Sequence, residues 1–468
     1  MPLTDQVYAH FIGAGGAGMS GIALVLHERG VRVTGSDLKQ SRYSRALEHA
    51  GIPIAIGHRV ENLGEPQVVV VSSAIPEGNP ELVEARARGL EIWPRAKMLA
   101  HLAENRRTVA VAGTHGKTST SSMVATMLAR MGLEPTFLIG GEVDGFDTNA
   151  ANGQGEYYVV EADESDGSFV YLDPFVSVIT NIEADHLDHY ESLEEIERTF
   201  AEFMGRTSED GVLVVCGDDE RLVQLARESG RPVVTYGFGD DCDVRCTAGD
   251  RSGLGCEFTA SLPDGTAVGC VAGVPGLHMV SNATAALAVA HVLGIDMVDA
   301  ASALGSFTGV RRRFDTVGEV GGVTVVDDYA HHPTEVKATL SAARALGFGR
   351  VWALFQPHRY SRTQAFARDF GGSFEGADCV VLMDVYSAGE APIPGVGGRT
   401  LLESTLRQHP RTRAAYLPHR ADIVPYLVDR VREGDLVMTM GAGDVTTLGP
   451  ELVAALEVRH QDGLALCP

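Results

Sequence analysis

The chain has 468 residues, of which 44% are hydrophobic and 21% are charged, and its 54 glycines follow no fixed repeat, which excludes collagen-like and low-complexity chains. The formal net charge of -24 repels nucleic acid and anionic membranes, so neither is expected as a partner. At roughly 150 residues per domain, the length corresponds to about three domains.

The cysteines and the first residues indicate a cytoplasmic protein. The seven cysteines form no Cys-x-x-Cys pair, and an odd number in a long chain indicates reduced thiols. The N-terminus lacks the basic and apolar segments of a signal peptide, and no run of about 18 apolar residues follows it.

The first segment, residues 1–105, alternates strand and helix patterns. Strands are predicted at 7–12, 31–34 and 68–72, with a helix near 17–29. This alternation implies a parallel sheet and hence an α/β domain.

A glycine-rich turn joins the first predicted strand to the first helix. It contains Gly13, Gly15, Gly16 and Gly18, and Asp37 ends the second strand, about 20 residues later, as in dinucleotide-binding folds. Taken alone, this Rossmann-like pattern suggests a dehydrogenase.

The central segment, residues 106–312, begins with an apolar strand that leads into a glycine loop and a helix. The loop is formed by Gly113, Thr114, His115, Gly116, Lys117, Thr118 and Ser119. Backbone N–H groups, a helix N-terminus and a lysine together predict a P-loop-type phosphate site, in which Thr118 can hold Mg²⁺. The loop is shorter than the usual pattern because Val111 stands where its first glycine belongs. The alternative is an ordinary turn between strand and helix.

Two polar motifs follow apolar strands of the central segment. Glu161 begins an acidic motif after the strand at 157–161, where carboxylates commonly complete a Mg²⁺ site, although a solvated acidic turn is the alternative. His186 follows the strand at 176–180, and the carboxyl ends of parallel strands face the ligand crevice. It is a candidate ligand of a second Mg²⁺, a phosphate contact or a structural histidine.

The last segment, residues 313–468, again alternates strands and helices, with strands at 351–355, 379–383 and 435–440. Arg311, Arg312 and Arg313 lie at the boundary before it, as an anion contact or a solvated linker. Arg359 and Arg362 follow the strand at 351–355, where guanidinium groups suit carboxylate or phosphate. His331 and His332 do not suggest zinc, because adjacent residues of an extended segment point to opposite sides.

Eight motifs, in order from about residue 7 to about residue 450, resemble the Mur ligases. They are the glycine turn near the start and the segments 113–118, 161–166, 181–186, 309–314, 327–335, 356–362 and 440–444. Eight motifs in register are far more specific than any one of them.

The resemblance implies a three-domain α/β enzyme of cytoplasmic peptidoglycan precursor synthesis. Residues 1–105 would be a Rossmann-like domain that binds UDP-sugar, 106–312 a P-loop ATPase domain, and 313–468 a Rossmann-like domain that binds the amino acid. The implied reaction is ATP-dependent ligation of L-alanine to the lactyl carboxylate of UDP-N-acetylmuramate through an acyl phosphate. It would use two Mg²⁺ ions, in a monomer or a homodimer.

The resemblance also implies roles for single residues. Lys117 would bridge the ATP phosphates, Thr118 and Glu161 would hold one Mg²⁺, and His186 would hold the other. The nucleotide would also meet His278, Asn282, Arg313 and Asp328. Tyr329, His331, Arg359 and Arg362 would lie near the amino acid and the transferred phosphate, and the turn at 13–18 would bind the UDP pyrophosphate.

The chain departs from the family pattern at a few positions. No lysine occurs between Lys117 and Lys337, whereas ligases of later amino acids carry a carbamylated lysine after the histidine motif. This favours the alanine-adding branch and leaves the remaining ligand of the second metal unknown. Ala330 stands where the family commonly has glycine, so the backbone turn at this position could differ from that of the family. Ser119 stands where the family has threonine.

Three other functions remain open at this stage. A nucleotide-sugar dehydrogenase would reduce NAD, a nucleotide sensor would bind without turnover, and a related ligase would reattach recycled murein tripeptide. We also expect the third domain to close onto ATP about a hinge at residues 310–316.

Overall fold

The computed structural model describes residues 7–187, 189–252, 254–461 and 463, and the side chains of residues 251 and 252 are outside this description. Residues 1–6 and Cys467, on which the expectation of a cytoplasmic protein partly rests, lie outside it too. Among the helices that the structure describes, none combines the length and the apolar character that a bilayer crossing requires.

The first sheet is fully parallel and follows the predicted alternation of strands and helices. Its strands are β1 (Tyr8–Ile12), β2 (Arg32–Asp37), β3 (Ile54–Ile56), β4 (Val68–Val71) and β5 (Glu91–Pro94), in the order β3-β2-β1-β4-β5. Its helices are α1 (Ala17–Glu28), α2 (Arg42–His49), α3 (Pro80–Ala87) and α4 (Arg95–Leu102). The glycine turn after β1 and the end of β2 therefore lie side by side.

The second sheet has ten strands, in the order β15-β14-β13-β12-β11-β10-β6-β9-β7-β8. The strands are β6 (Arg107–Ala112), β7 (Thr136–Val143), β8 (Thr148–Ala151), β9 (Tyr157–Glu161), β10 (Val176–Ile179), β11 (Val212–Cys216), β12 (Val233–Gly237), β13 (Val244–Ser252), β14 (Gly255–Ser261) and β15 (Ala267–Ala272). The helices are α5 (Lys117–Arg130), α6 (Leu193–Gly205), α7 (Glu220–Glu228), α8 (Leu277–Val292) and α9 (Met297–Leu304). Its middle is parallel, and antiparallel pairs close both edges.

The third sheet has six strands, in the order β16-β17-β21-β18-β19-β20. They are β16 (Asp315–Val320), β17 (Val323–Asp328), β18 (Arg350–Phe355), β19 (Cys379–Leu382), β20 (Arg413–Tyr416) and β21 (Asp435–Met440). The helices are α10 (Pro333–Ala345), α11 (Tyr360–Ala365), α12 (Ala367–Ser373), α13 (Gly398–Gln408), α14 (Arg420–Val428) and α15 (Leu448–Gln461). Only β16 runs antiparallel, and the three sheets confirm the predicted α/β class.

The first and second sheets share one hydrophobic core. Buried side chains of α1, such as Ile22, belong to the same apolar cluster as Leu138 of β7 and Ala150 of β8. Gly21 makes this approach close, because a Cβ there would lie 2.8 Å from Leu138 Cδ2 and 2.9 Å from Ala150 Cβ. Burial of apolar area on both sides therefore fixes α1 against the second sheet.

The link between the second and third sheets has two residues in an unusual backbone conformation. Arg312 has φ +65° and Phe314 has φ +52°, a region that non-glycine residues rarely adopt. Side chains and backbone hold them there: the Arg312 Nε donates to Asp327, and the Phe314 N–H donates to the carboxylate of Asp328. This link coincides with the predicted hinge, whose motion stays a prediction.

A buried carboxylate ties together the loops of the first domain. Glu81 on α3 is fully buried and accepts hydrogen bonds from His10, Ser36, Asn62 and the backbone N–H of Arg59. Burial alone would raise the pKa of Glu81, but these hydrogen bonds outweigh it and lower the pKa to about 2.

We expect Glu81→Ala to lower the free energy of unfolding of the first domain by about 3 kcal/mol at pH 7, because several buried donors lose their acceptor. The folded-state pKa of about 2 lies below the ordinary value of 4.5, so this contribution is complete above pH 4.5 and is lost as the pH falls towards 2. Scanning calorimetry at pH 7 and pH 3 measures it. Glu48→Ala, on the exposed side of α2, is the matched control, and equal losses in the two variants would contradict the prediction.

Candidate functional site

Three motifs meet at the carboxyl edge of the second sheet because their strands are neighbours. β6 lies between β9 and β10, and all three run parallel. The phosphate loop after β6 is therefore flanked by Glu161 at the end of β9 and by Asn181 after β10. Asn181 fixes the loop: its Oδ1 accepts from His115 N at 2.9 Å, and its Nδ2 donates to His115 O at 3.0 Å.

Two glycines of the loop have no room for a side chain. Gly113 has φ +132°, and a Cβ there would collide with the Thr180 hydroxyl. Gly116 has φ +83°, and a Cβ there would lie 2.7 Å from the Asn282 Oδ1 of α8. Only glycine fits this path at low cost, and the path leads into the N-terminus of α5 at Lys117, where backbone N–H groups suit a phosphate.

Lys117 is largely buried and fully committed to hydrogen bonds. Its Nζ donates to Gly113 O at 2.6 Å, to Thr114 O at 3.2 Å and to Glu164 Oε1 at 2.8 Å. Burial lowers the pKa of Lys117, but Glu164, Asp163 and Glu161 outweigh it and raise the pKa above its ordinary value. The lysine is therefore an ammonium ion, the form that binds phosphate.

Thr118 and Glu161 form the predicted hard-oxygen pair. The Thr118 hydroxyl donates to Glu161 Oε1 at 3.1 Å, and Glu161 Oε2 accepts from Gly140 N at 2.8 Å. A hydroxyl and a carboxylate beside a phosphate loop are oxygen donors of the type that Mg²⁺ prefers. The donor set therefore fits this ion.

His186 lies across the same site. Its Nε2 is 3.7 Å from Glu164 Oε1 and 3.8 Å from Asp185 Oδ2, and its backbone has φ +52°. Burial lowers the pKa of His186, with smaller contributions from Lys117 and Arg362, and Asp185 offsets this only in part. The ring is therefore neutral near pH 7, and a neutral imidazole is the form that binds a metal.

One cleft lies between the first domain and the phosphate site. It is lined by Gly18, Arg95, Gly140, Glu161 and Asp163, with other residues of α1, α4 and β7. Arg95 Nη2 lies 3.2 Å from Asp163 Oδ2, so its guanidinium faces the cleft. The cleft joins the glycine turn of the first sheet to the carboxylate of Glu161.

The turn at residues 13–18 is shaped by Asp37. Its Oδ2 accepts from Gly15 N at 2.8 Å, and a Cβ at Gly15 would lie 2.8 Å from the same oxygen. Gly13 has φ +83°. The carboxylate at the end of β2 thus holds the turn from the neighbouring strand.

A second cleft lies on the other side of the phosphate loop. It is lined by His115, Gly116 and Ser119 of the loop region, by His278 and Asn282 of α8, and by Arg313, Asp328 and Thr339 from the third segment. Burial lowers the pKa of His278 to about 4, so the ring is neutral. Burial also raises the pKa of Asp328 to about 6, although Arg313 and the N–H groups of Phe314 and Ala330 partly offset it.

The His115 side chain turns away from the phosphate loop and towards α10. Its Nε2 lies 3.6 Å from Glu183 Oε2, its Nδ1 lies 3.4 Å from Glu335 Oε1, and its ring packs on that of His332 at 4.7 Å. Burial lowers the pKa of His115, but Glu183 and Glu335 outweigh it and raise the pKa to about 9. A positive His115 thus joins the central and third domains.

A buried ion pair makes a second contact between these domains. The guanidinium of Arg362 donates to Asp185 Oδ1 from Nε at 3.1 Å and from Nη2 at 2.7 Å. Arg362 is 7% exposed and Asp185 is 4% exposed. Burial raises the pKa of Asp185, but Arg362 and neighbouring histidines outweigh it and hold the pKa well below its usual range. Breaking such a pair leaves a buried charge.

The remaining predicted residues gather beside this ion pair. His331 packs against Tyr329 at 5.3 Å and against His358 at 5.9 Å, while His332 packs against His115 and Phe366. The two histidines therefore point to different sides, as predicted. Arg359 Nη1 is 3.9 Å from Glu390.

Ala330 fits its turn without strain. It is buried and outside the positive-φ region, and its N–H donates to Asp328 at 2.8 Å. The position that raised doubt in the sequence therefore does not require glycine.

The sequence did not single out the acidic partners. Glu164, Glu183, Asp185 and Glu335 each contact a predicted histidine, lysine or arginine. The one available signal was for Glu335, which follows His332 and Pro333 at the spacing of a helix cap and forms a capping box with His332.

Three family models match consecutive parts of the chain. "Mur ligase family, catalytic domain" matches residues 8–107, "Mur ligase middle domain" matches residues 111–290, and "Mur ligase, glutamate ligase domain" matches residues 312–443. Each match falls largely on one of the three sheets.

Full-length relatives give the same result. The chain is 48% identical over 470 residues to the UDP-N-acetylmuramate–L-alanine ligase of Pelotomaculum thermopropionicum, covering 97% of this chain and 99% of that protein. It is 48% identical over 460 residues to the ligase of the same name from Thermobifida fusca, covering 96% of each.

Solved structures of similar proteins cover nearly the whole chain. The UDP-N-acetylmuramate-alanine ligase of Thermotoga maritima superposes with a TM-score of 0.80 at 29% identity, covering 97% of this chain and 100% of that one. A murein peptide ligase from Psychrobacter arcticus gives a TM-score of 0.72 at 26% identity, covering 96% and 98%.

We expect His115→Gln to lower the Tm by about 3 °C at pH 7, the shift that roughly 1 kcal/mol produces in a domain of this size. The pKa of about 9 in the folded chain exceeds the ordinary 6.5, so the contribution of His115 is complete below pH 6.5 and is lost as the pH rises through about 9. His332, His331 and Arg313 also face this cluster. The difference in Tm between wild type and variant, measured from pH 6 to 10, isolates His115. A difference that stays constant to pH 10 would be inconsistent with a charged His115.

Proposed function

The chain belongs to the Mur ligase family, and on that premise we propose that it uses ATP to join L-alanine to the lactyl carboxylate of UDP-N-acetylmuramate, releasing ADP and phosphate in the synthesis of peptidoglycan precursors. Full-length relatives with this name support the choice of substrates. The product is an amide, so the reaction needs an activated carboxylate.

One observation carries the proposal: the two clefts open on opposite sides of the same phosphate loop. The cleft lined by Gly18 and Arg95 reaches Glu161, and Thr118 hydrogen-bonds that carboxylate. The cleft lined by Asn282 and Asp328 reaches Gly116 and Ser119. A nucleotide in the second cleft would therefore direct its terminal phosphate towards a substrate in the first.

The chemistry follows from the charges that the chain must neutralise. A carboxylate oxygen of the sugar substrate attacks the γ-phosphorus, the bond to ADP breaks, and an acyl phosphate forms. The amine of L-alanine then attacks the acyl carbon, and the tetrahedral intermediate expels phosphate. The carboxylate of the sugar substrate and the γ-phosphate of ATP are both anionic and must be aligned for attack. Cations held in position therefore supply most of the stabilisation of the transition state.

We assign the cations by their place in the site. Lys117 would contact the β and γ phosphates from the loop, and Arg313 would approach them from the third domain. Arg95 faces the sugar cleft and would meet an anionic group of that substrate. Arg359 would lie near the amino acid and the transferred phosphate, while Arg362 positions this region through its ion pair with Asp185.

The metal sites are assigned by their donors. Thr118 and Glu161 would hold one Mg²⁺ and His186 the other, and such ions neutralise charge on phosphate oxygens. The hydroxyl, the carboxylate and the neutral imidazole are suitable ligands.

The remaining assignments follow the clefts. Gly13, Gly15, Gly16 and Gly18, held by Asp37, would bind the UDP pyrophosphate. His278 and Asn282 would lie on the adenine side, and Asp328 would take the ribose. Tyr329 and His331 would lie near the amino acid. We propose the same domain limits, 1–105, 106–312 and 313–468, and a cytoplasmic enzyme that is a monomer or a homodimer.

A phosphate-release assay tests the proposal directly. The purified chain is incubated with ATP, Mg²⁺ and UDP-N-acetylmuramate, and with alanine, glycine, serine or murein tripeptide as acceptor. We expect phosphate release only when the sugar nucleotide and L-alanine are both present. Faster release with the tripeptide would assign the chain to murein recycling, and no release with any acceptor would reject ligase activity.

We expect Lys117→Ala to reduce turnover by orders of magnitude, because loss of one charge-stabilising group typically raises the barrier by roughly 3 to 4 kcal/mol. Binding of UDP-N-acetylmuramate, measured by calorimetry, should stay unchanged because the sugar cleft does not include Lys117. Lys97→Ala, on α4 and outside both clefts, is the control and should retain turnover. Normal turnover of Lys117→Ala would refute the role of this lysine.

A further inference from the structure

Glu164 is a buried carboxylate that no assigned role explains. It is 2% exposed, and Lys117 is its hydrogen-bonding cation, with Nζ at 2.8 Å. Its other close basic neighbour is the imidazole of His186, whose Nε2 lies 3.7 Å from Oε1. A buried carboxylate is costly without a partner, so the charge of Glu164 depends on Lys117.

The same ammonium is the group that must meet phosphate. Lys117 donates its hydrogen bonds to Glu164 and to the carbonyls of Gly113 and Thr114. An ATP phosphate would therefore compete with Glu164 for the ammonium group of Lys117. When Lys117 pairs with phosphate, the buried carboxylate of Glu164 needs another cation.

His186 indicates where that cation would be. Its Nε2 faces Oε1 of Glu164, the same oxygen that accepts from Lys117. An imidazole nitrogen and a carboxylate oxygen 3.7 Å apart can bind one divalent metal ion between them, since each bond would be about 2.0–2.2 Å long. No lysine between Lys117 and Lys337 is available as a ligand.

We propose that Glu164 exchanges partners on nucleotide binding: it pairs with Lys117 before phosphate arrives, and then becomes a ligand of the divalent cation held by His186. This inference rests on the proposed function and adds one ligand to the second metal. Glu164 also couples phosphate binding to cation binding. If phosphate pairs with Lys117 while no cation is bound, the buried carboxylate of Glu164 is left without a partner. Nucleotide and second metal therefore bind cooperatively.

Mn²⁺ and a non-hydrolysable ATP analogue provide the test, with free Mn²⁺ counted by electron paramagnetic resonance. We expect wild type to bind two Mn²⁺ ions per chain with the analogue, and Glu164→Gln to bind one. In EDTA, Glu164→Gln should bind the analogue about tenfold more tightly than wild type, because no carboxylate competes for Lys117.

Two further variants separate the parts of the proposal. His186→Ala should also bind one Mn²⁺, but its affinity for the analogue in EDTA should equal that of wild type, since His186 does not hold the lysine. Asp166→Asn is the matched control within the same motif, because its carboxylate caps Ser168 N, and it should match wild type in both measurements. Glu164→Asp keeps the charge and should bind the second Mn²⁺ with lower affinity than wild type. It replaces Glu164→Gln in these measurements if the glutamine variant does not fold.

Several outcomes would overturn the proposal. These are a second Mn²⁺ retained by Glu164→Gln, a single Mn²⁺ in wild type, or unchanged affinity of Glu164→Gln in EDTA. Uptake of one proton per bound analogue, seen by calorimetry in two buffers, would show that a proton neutralises Glu164 instead. These measurements use no acceptor substrate, so a failure to form the amide would reject the proposed function without affecting them.

Discussion

The structure depends on keeping one buried ammonium neutralised. Lys117 is the only lysine of the central segment 106–312, and three carboxylates, Glu161, Asp163 and Glu164, raise its pKa against the effect of burial. Their strand β9 is placed beside β6 by the parallel register of the sheet. A phosphate can join this cluster only by replacing one negative charge with another, so the electrostatics of the site depend on exchange between anions.

The order of the elements, and most of the residues that the structure brings together around the phosphate loop, could be read from the sequence. Strand patterns and turn glycines predicted β1, β9, β10, β18 and β21 to within about a residue, because parallel buried strands are continuous apolar runs. The resemblance to known ligases then supplied roles that no spacing could give. The antiparallel edges of the second sheet were only suggested as a strand-rich region, since edge pairing depends on distant partners.

The contacts between domains could not be predicted in the same way. His115 was expected in the phosphate cradle by its position in the motif, but its ring contacts Glu183 and Glu335, which lie far away in the chain. Arg362 was expected near the amino acid and the transferred phosphate, and its pairing with Asp185 was not foreseen. Such pairings depend on how the sheets pack, and a local pattern of residue types carries no information about that packing.

The core shared by α1 and the second sheet has a consequence for the design of inhibitors. Gly21 lets α1 approach Leu138 and Ala150 closely, so the distance from the glycine turn to Glu161 is set by packed apolar side chains. The cleft lined by Asn282 and Asp328 is instead built partly on residues that follow the link with Arg312 and Phe314. A molecule that occupies both clefts would therefore need a rigid half of fixed length in the cleft lined by Gly18 and Arg95, and a compliant linker towards the other cleft.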